Sequence, residues 1–352
     1  MAYLSALASG LTPYQAGEQP KDRKYIKLNT NENPYPPSPK VLEAMEAAAK
    51  GLQLYPDMDC TALCRAAADL NGLAPEQVFA GNGSDEVLAF AFAAFFAGKR
   101  LLAPDITYSF YPVYAKLFGA HYETVPLKDD FSVDVPGLLQ DAPVVIANPN
   151  APTGMLLPVE ELEKMAAHLK EREAVLLIDE AYEAFATENA VSLLSRFDNV
   201  LIVRTLSKSH SLAGLRVGYA MGHPHLIEGL NRVKDCFNSY SLDRLAQAAA
   251  AAALADKEYY VQVNKKVSST RDWTRNALEA EGIEVLPSQT NFLFVKAHDT
   301  NAQEVLAQLK ERGILVRHFN KARISPYLRV SIGTPEDMAV VVRELISIMK
   351  GR

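Results

Sequence analysis

The chain has 352 residues, of which 49% are apolar and 22% charged, as in an ordinary globular protein of about two domains. Its formal net charge is −6 and no Lys/Arg cluster stands apart, which argues against nucleic-acid binding and favours small-molecule partners. No apolar run is long enough to cross a bilayer, and the first ten residues lack a basic signal segment, so we expect a cytoplasmic protein without membrane contact. The three cysteines predict reduced thiols and no metal site.

The predicted elements divide the chain into three segments. Residues 1–40 are rich in Pro, Asn and Tyr and predict an ordered arm that leads into a small domain. Residues 41–240 alternate short apolar runs with helical patterns, which predicts a large α/β domain whose mostly parallel sheet is covered by helices on both faces. Residues 241–352 predict a smaller α+β domain. The strand candidates of the large domain lie at 77–81, 100–104, 143–149, 174–181, 199–205 and 216–222.

The first polar turn, GNGSDE at 81–86, follows the first of these strands. Its two glycines allow a tight turn, and the amides of Gly83, Ser84 and Asp85 would then open a helix, which makes an anion site. An ordinary helix N-cap is the alternative. The third glycine of GxGxxG and the GK[ST] of a P-loop are missing, so the turn supports neither a dinucleotide site nor a nucleoside-triphosphate site.

Two further polar residues follow neighbouring strands. Asp179 ends a fully apolar strand, where a buried carboxylate costs several kcal/mol unless a cation or donor pairs with it. Lys208 follows the next strand and should lie in the same layer. A partly desolvated lysine has a lowered pKa, and its neutral amine is a nucleophile, so Lys208 is a candidate Schiff-base amine. A buried Lys208–Asp179 ion pair is the alternative.

Three motifs carry a family resemblance: NPNAPTG at 148–154, DEAY at 179–182 and SKSHSLAGLRVGY at 207–219. Their order and spacing resemble the pyridoxal-phosphate enzymes of the aspartate-aminotransferase fold, fold type I. LTPYQ, LNTNENPYPPSP, GNGSDEVL, TNFLFV and LRVSIGT extend the resemblance, now to the histidinol-phosphate aminotransferase branch, over nearly the whole chain.

The resemblance implies a homodimeric enzyme of histidine biosynthesis. Its cofactor would be pyridoxal 5'-phosphate, and it would interconvert L-histidinol phosphate and 2-oxoglutarate with imidazole acetol phosphate and L-glutamate. Alternatives within the fold are a broad aromatic aminotransferase and a threonine-phosphate decarboxylase. A non-covalent nucleotide-binding protein is the alternative from another class, and a cofactor's visible absorption band would separate it from an aminotransferase.

The resemblance also implies residue roles. Lys208 would form the Schiff base and move the proton of the transfer, Asp179 would pair with the pyridinium nitrogen, and Tyr182 would donate to the ring's phenolic oxygen. The other implied cofactor-binding residues are Gly83, Ser84, Asp85, Ser207 and Arg216 around the phosphate, Tyr108 stacked on the ring, and Tyr55 from the neighbouring subunit.

One position departs from the family motif. The family has Asn directly before Pro-Thr-Gly, where it bonds the phenolic oxygen, and here that residue is Ala151. Asn148 and Asn150 are the candidates to supply the amide instead, and we include Asn148 among the predicted cofactor ligands.

The resemblance places the substrate at four residues. Arg317 and Arg329 lie on two adjacent candidate strands of the small domain, and the planar guanidinium of arginine bonds either a carboxylate or a phosphate through two parallel hydrogen bonds. Tyr14 and Asn291 match further positions that the branch uses for substrate. For Arg317, a solvated charge on an edge strand is the alternative.

Overall fold

The computed structural model describes residues 3–14, 17–297 and 301–351. The strands are β1 (Ile26–Lys27), β2 (Val78–Asn82), β3 (Arg100–Pro104), β4 (His121–Val125), β5 (Val144–Ala147), β6 (Leu176–Asp179), β7 (Val200–Thr205), β8 (Val217–Gly222), β9 (Phe292–Lys296), β10 (Ile314–Leu315), β11 (Arg317–His318) and β12 (Tyr327–Ser331). The helices are α1 (Ala6–Gly10), α2 (Pro39–Ala49), α3 (Thr61–Asn71), α4 (Gly83–Ala91), α5 (Tyr111–Phe118), α6 (Val135–Leu138), α7 (Val159–Lys170), α8 (Pro224–Phe237), α9 (Arg244–Ala255), α10 (Lys257–Ala280), α11 (Ala302–Glu311) and α12 (Pro335–Lys350).

The large sheet has seven strands in the order β2-β8-β7-β6-β5-β3-β4, and only β8 runs antiparallel to its neighbours. Every residue of β5, β6, β7 and β8 is buried, because helices cover both faces. This confirms the predicted fold class, and all six predicted strands are present. The seventh strand, β4, was not predicted because its sequence HYETV is polar and largely exposed at the sheet edge.

The register of the central strands brings the motifs together. Strands β5, β6 and β7 are parallel, and Asp179 lies opposite Ala147 on one side and Val203 on the other. The segments that follow these three strands therefore leave the sheet at the same edge. They carry the NPNAPTG, DEAY and SKSHSLAGLRVGY motifs.

The smaller sheet has the order β11-β12-β9 and is antiparallel, with Arg317 opposite Arg329. Strand β1 of the N-terminal arm pairs with β10, which ties the arm to the C-terminal part of the chain. The apolar core of the large sheet includes the alanine face of α9, which packs on α2 and α3, and continues to Tyr260. A further core contains Leu28 of the arm, Tyr182 and, within α10, Val267, together with the strands of the smaller sheet. The division into 1–40, 41–240 and 241–352 stays a prediction.

Neither a membrane span nor a metal cluster is found in the described ranges. None of the helices there has both the length and the apolar character that crossing a membrane requires. In the same ranges no cluster of three or more His, Cys, Asp or Glu side chains is arranged to hold a metal ion.

Candidate functional site

A cavity of about 230 Å³ opens where β5, β6 and β7 end. It brings together residues from the arm, the large sheet and the small sheet. The predicted residues that line it are Tyr14, Ser84, Asp85, Tyr108, Asp179, Tyr182, Ser207, Lys208, Arg216, Arg317 and Arg329. The predicted residues that do not line it are Tyr55, Gly83, Asn148 and Asn291.

Asp179 is buried at the end of β6, and its partners are hydrogen-bond donors. Tyr111 Oη donates to Oδ2 at 2.8 Å, and the Ala181 amide donates to Oδ1 at 3.2 Å. Burial outweighs the effect of these two donors, which lower the pKa, and the Asp179 carboxyl has a pKa raised to about 6. Tyr111, in the segment FYPVY, was not recognised from the sequence, because nothing local shows that it reaches a carboxylate 68 positions away.

Lys208 lies half-buried in the turn after β7. Its Nζ donates to the Thr30 carbonyl at 2.9 Å, so within the described chain the amine is bonded to the arm and not paired with Asp179. Burial, helped by the nearby Arg329 charge and opposed by Glu32, lowers the pKa of Lys208 to about 8. A lysine with this pKa supplies a useful fraction of neutral amine near neutral pH.

The start of α4 forms an anion-binding corner with Arg216 and Ser207. The Asn82 side chain at the N-cap makes no capping hydrogen bond, and Ser84 and Asp85 of the first turn line the cavity. Arg216 Nη2 donates to Asp85 Oδ2 at 2.7 Å, and Nη1 reaches Ser207 Oγ at 3.5 Å. Helix amides and a guanidinium together favour a phosphate.

Two glycines make this corner possible. Gly83 has a φ of +74°, and a Cβ there would lie 2.7 Å from Arg216 Nη2. Gly218 lies so close to the start of α4 that its Cβ would be 2.3 Å from the Ser84 amide nitrogen. Gly83 therefore contributes by leaving space for the guanidinium, although it does not itself line the cavity.

The two asparagines that could replace the missing motif amide are bonded elsewhere. Asn148 Nδ2 donates to the Leu157 carbonyl at 2.9 Å, and Asn148 Oδ1 accepts from the Leu157 amide at 2.8 Å. Asn150 Nδ2 donates to the Ile106 carbonyl and to Thr153 Oγ1. Both side chains are buried outside the cavity lining. Local backbone groups thus bond both ends of the Asn148 amide, and its role as a cofactor ligand stays a prediction.

The segment 29–31 of the arm bonds several cavity residues, and the sequence did not single it out. Its three consecutive carbonyls accept, in order, from Arg329 Nη2 at 3.1 Å, Lys208 Nζ at 2.9 Å and Asn291 Nδ2 at 3.0 Å. Asn291 thus contacts the cavity through this segment. The only sequence signal was the motif LNTNENP, which carried no specific role.

Three buried polar atoms beside the cavity have no partner in the described part of the chain. They are Arg329 Nε, Asn291 Oδ1 and Asn29 Oδ1. An unpaired buried polar group costs about 1–3 kcal/mol, so such atoms are usually satisfied by a ligand or water. The Arg329 and Arg317 guanidinium groups also lie over the same ring, that of Phe319, at 5.4 and 5.6 Å. Two cations at one end of the cavity favour an anionic ligand there.

Tyr55 lies outside this cavity. Its side chain is 79% exposed, and its ring stacks on Tyr240 with centroids 4.8 Å apart. Neither Tyr55 nor Tyr240 lines the cavity of its own chain.

The chain is similar to known aminotransferases over most of its length. The family model for aminotransferase class I and II matches residues 23–345. Proteins named histidinol-phosphate aminotransferase from Clostridium beijerinckii and Pseudomonas entomophila are each 49% identical over 95% of this chain, covering 94% and 97% of their own lengths. The solved histidinol-phosphate aminotransferase of Sinorhizobium meliloti, in complex with pyridoxal-5'-phosphate, is 28% identical with a TM-score of 0.89, covering 100% of this chain and 98% of that one. The chain belongs to the class I and II aminotransferase family.

Proposed function

We propose that this chain is a pyridoxal-phosphate-dependent aminotransferase that interconverts L-histidinol phosphate and 2-oxoglutarate with imidazole acetol phosphate and L-glutamate. The observation that carries the proposal is the meeting, in one cavity, of a lysine of lowered pKa, a buried carboxylate and an anion-binding corner. The names and high identity of the relatives support the choice of substrate. We also retain the expectation of a cytoplasmic enzyme, since the proposed reactants are small water-soluble molecules.

The cavity residues fit pyridoxal phosphate. The α4 amides, Ser207 and Arg216 would hold its phosphate, with Arg216 released from Asp85 or shared with it. Tyr108 Oη bonds Asp85 Oδ1 at 3.0 Å, which holds the tyrosine ring at the cavity wall, where it can stack on a planar cofactor. When bound, the cofactor supplies an electron sink for the negative charge left on the substrate carbon.

The chain's own groups would then transfer the proton and hold the cofactor ring through hydrogen bonds. Lys208 would attach the cofactor, and its amine, once free, would take the proton from the substrate carbon that bears the amino nitrogen and deliver it to the cofactor carbon on the other side of that nitrogen. Asp179, raised in pKa but held by Tyr111, would accept the hydrogen bond of a protonated ring nitrogen. Tyr182 would donate to the ring's phenolic oxygen.

Arg329 and Arg317 would bind the anionic groups of the substrates. The two reactants present different anions, a carboxylate in glutamate and a phosphate in histidinol phosphate, and arginine suits both. Tyr14 lines the same end of the cavity and stacks on Phe110 with centroids 4.8 Å apart. Asn291 and Arg329 both donate to carbonyls of segment 29–31, so Asn291 would help to position the segment that Arg329 contacts.

Arg317→Ala tests the phosphate role. Removing a charge-assisted contact should lower kcat/KM for histidinol phosphate by roughly 10- to 100-fold, and lower that for phenylalanine much less. Steady-state kinetics on both substrates measures this. Arg343→Ala, which removes an exposed arginine on α12, is the matched control for loss of charge and should leave both values unchanged. Equal losses for both substrates in Arg317→Ala would show that Arg317 is not a phosphate ligand.

We further propose a homodimer in which Tyr55 reaches the cofactor phosphate of the neighbouring subunit. Its support is the exposure of Tyr55 together with Leu52 and Leu54, its neighbours in the chain, and Tyr240, on which its ring stacks; a dimer would cover these apolar side chains.

Mixing two variants tests the shared site. Tyr55→Ala should weaken cofactor binding, and Lys208→Ala should be inactive, yet a mixed dimer contains one site with both residues intact. After the two variants are unfolded and refolded together, assayed where cofactor saturates only the wild type, about a quarter of wild-type activity should return. Each variant refolded alone is the control. Activity no higher than the mean of the two controls would contradict a shared site.

A further inference from the structure

Asn31 is held in an unusual conformation between the two sheets. Its φ of +55° is in the left-handed region, which asparagine tolerates better than most residues. Its backbone amide donates to Ser331 Oγ at 2.9 Å, and that hydroxyl in turn donates to Asn31 Oδ1 at 2.8 Å. Ser331 donates its one hydroxyl proton to Asn31 Oδ1. This bond fixes the orientation of the amide, so that Nδ2 faces Tyr182.

Asn31 Nδ2 donates to Tyr182 Oη at 2.8 Å, in a buried position. Since the phenol oxygen accepts this bond, the phenol keeps its own proton for another acceptor, and Tyr182 lines the cavity. A hydroxyl that accepts a hydrogen bond becomes a stronger donor. Burial raises the pKa of Tyr182, while the Arg329 charge and the Asn31 donor lower it and the Asp179 charge raises it.

This contact bears on the missing motif amide. Ala151 lines the cavity where the family has asparagine, and the amides of Asn148 and Asn150 are bonded to local groups. We propose that Asn31 is a positioning residue, an inference that rests on the proposed cofactor. By donating to Tyr182, Asn31 directs and strengthens the Tyr182 hydroxyl as donor to the cofactor's phenolic oxygen. The second amide then acts through Tyr182 and not directly.

Two substitutions remove the donor and keep the backbone. Asn31→Gly tolerates the positive φ, and Asn31→Asp keeps the side chain's shape but offers an acceptor that would draw the Tyr182 proton away from the cofactor. The readout is the pH midpoint of the visible absorption change of the cofactor-loaded protein, which requires no turnover. A weaker donor to the anionic oxygen raises this midpoint, so Asn31→Gly should raise it by about 0.5–1 unit, and Asn31→Asp at least as far.

A double-mutant cycle separates this role from general loosening of the site. Tyr182→Phe alone should raise the midpoint, and adding Asn31→Gly in that background should raise it no further, because the path runs through the Tyr182 hydroxyl. The same shift in both backgrounds, or no shift in either, would overturn the role of Asn31. A wild-type protein that shows no visible band with pyridoxal phosphate would overturn the proposed function and this inference with it. A wild-type band that is present, with its midpoint unmoved in Asn31→Gly, would overturn the inference alone.

Discussion

Lys208→Ala should lose covalent attachment of pyridoxal phosphate and about 10⁴-fold or more of transamination activity. The reason is that the proposed function gives this one amine two tasks, the attachment of the cofactor and the transfer of the proton. No other lysine lines the cavity within the described residues. The measurement treats the loaded protein with borohydride, which makes a lysine–cofactor linkage permanent, and then locates the added mass by peptide mass spectrometry.

Lys234 provides the matched control for Lys208. It is also a buried lysine whose Nζ bonds a backbone carbonyl, that of Met58 at 3.1 Å, but it lies outside the cavity. Lys234→Met keeps the aliphatic stem and should retain the cofactor mass on the peptide that carries Lys208, provided that circular dichroism shows a folded protein. Added mass at any other lysine in the wild type, or retained activity in Lys208→Ala, would contradict the assignment.

Asp179→Asn should keep the fold and bind the cofactor but transaminate at least about 10²-fold more slowly. A neutral amide cannot hold the ring nitrogen protonated, and the electron sink weakens accordingly. Single-turnover rates with histidinol phosphate, followed by the cofactor's absorbance, measure this directly. An unchanged rate would remove Asp179 from the mechanism.

Tyr111→Phe should cause a smaller loss of the same kind as Asp179→Asn. It keeps the Asp179 charge and deletes only the phenol that donates to Oδ2, so the loss of rate should be smaller, about tenfold. Because that donor lowers the pKa of Asp179, its removal should raise the pKa further. The rate of the variant should therefore fall off at a higher pH on the acidic limb than the wild-type rate does. A loss as large as that of Asp179→Asn would mean that Tyr111 does more than tune the carboxylate.

The sequence predicted the sheet and the layer of polar residues because both follow from local patterns. Runs that are apolar on both sides predict buried parallel strands, and parallel strands bring their carboxyl ends to one edge. This pattern alone is enough to predict that Asp179 and Lys208 lie in one layer, and both line the same cavity. The pattern fails for β4, whose exposed HYETV lacks the apolar character of a central strand.

The contacts that the sequence could not predict join residues that are far apart in the chain. Asn31 and Tyr182 are 151 positions apart, and the bond between them depends on how the arm lies against both sheets. At Asn148 the unpredicted contact is local, a bond to Leu157 nine positions away that the motif does not show, and its role as a cofactor ligand stays a prediction. The family resemblance assigned roles to residues, and only the packing shows which of their side chains are already bonded to other groups of the chain.

The proposed function is tested most directly by comparing two amino donors with 2-oxoglutarate as acceptor. We predict that the cofactor-loaded protein forms glutamate with a higher kcat/KM for L-histidinol phosphate than for phenylalanine, because in the proposed site Arg317 and Arg329 would bind the phosphate. A kcat/KM for phenylalanine that equals or exceeds that for histidinol phosphate would contradict the substrate assignment, and no glutamate from either donor would contradict the aminotransferase activity itself.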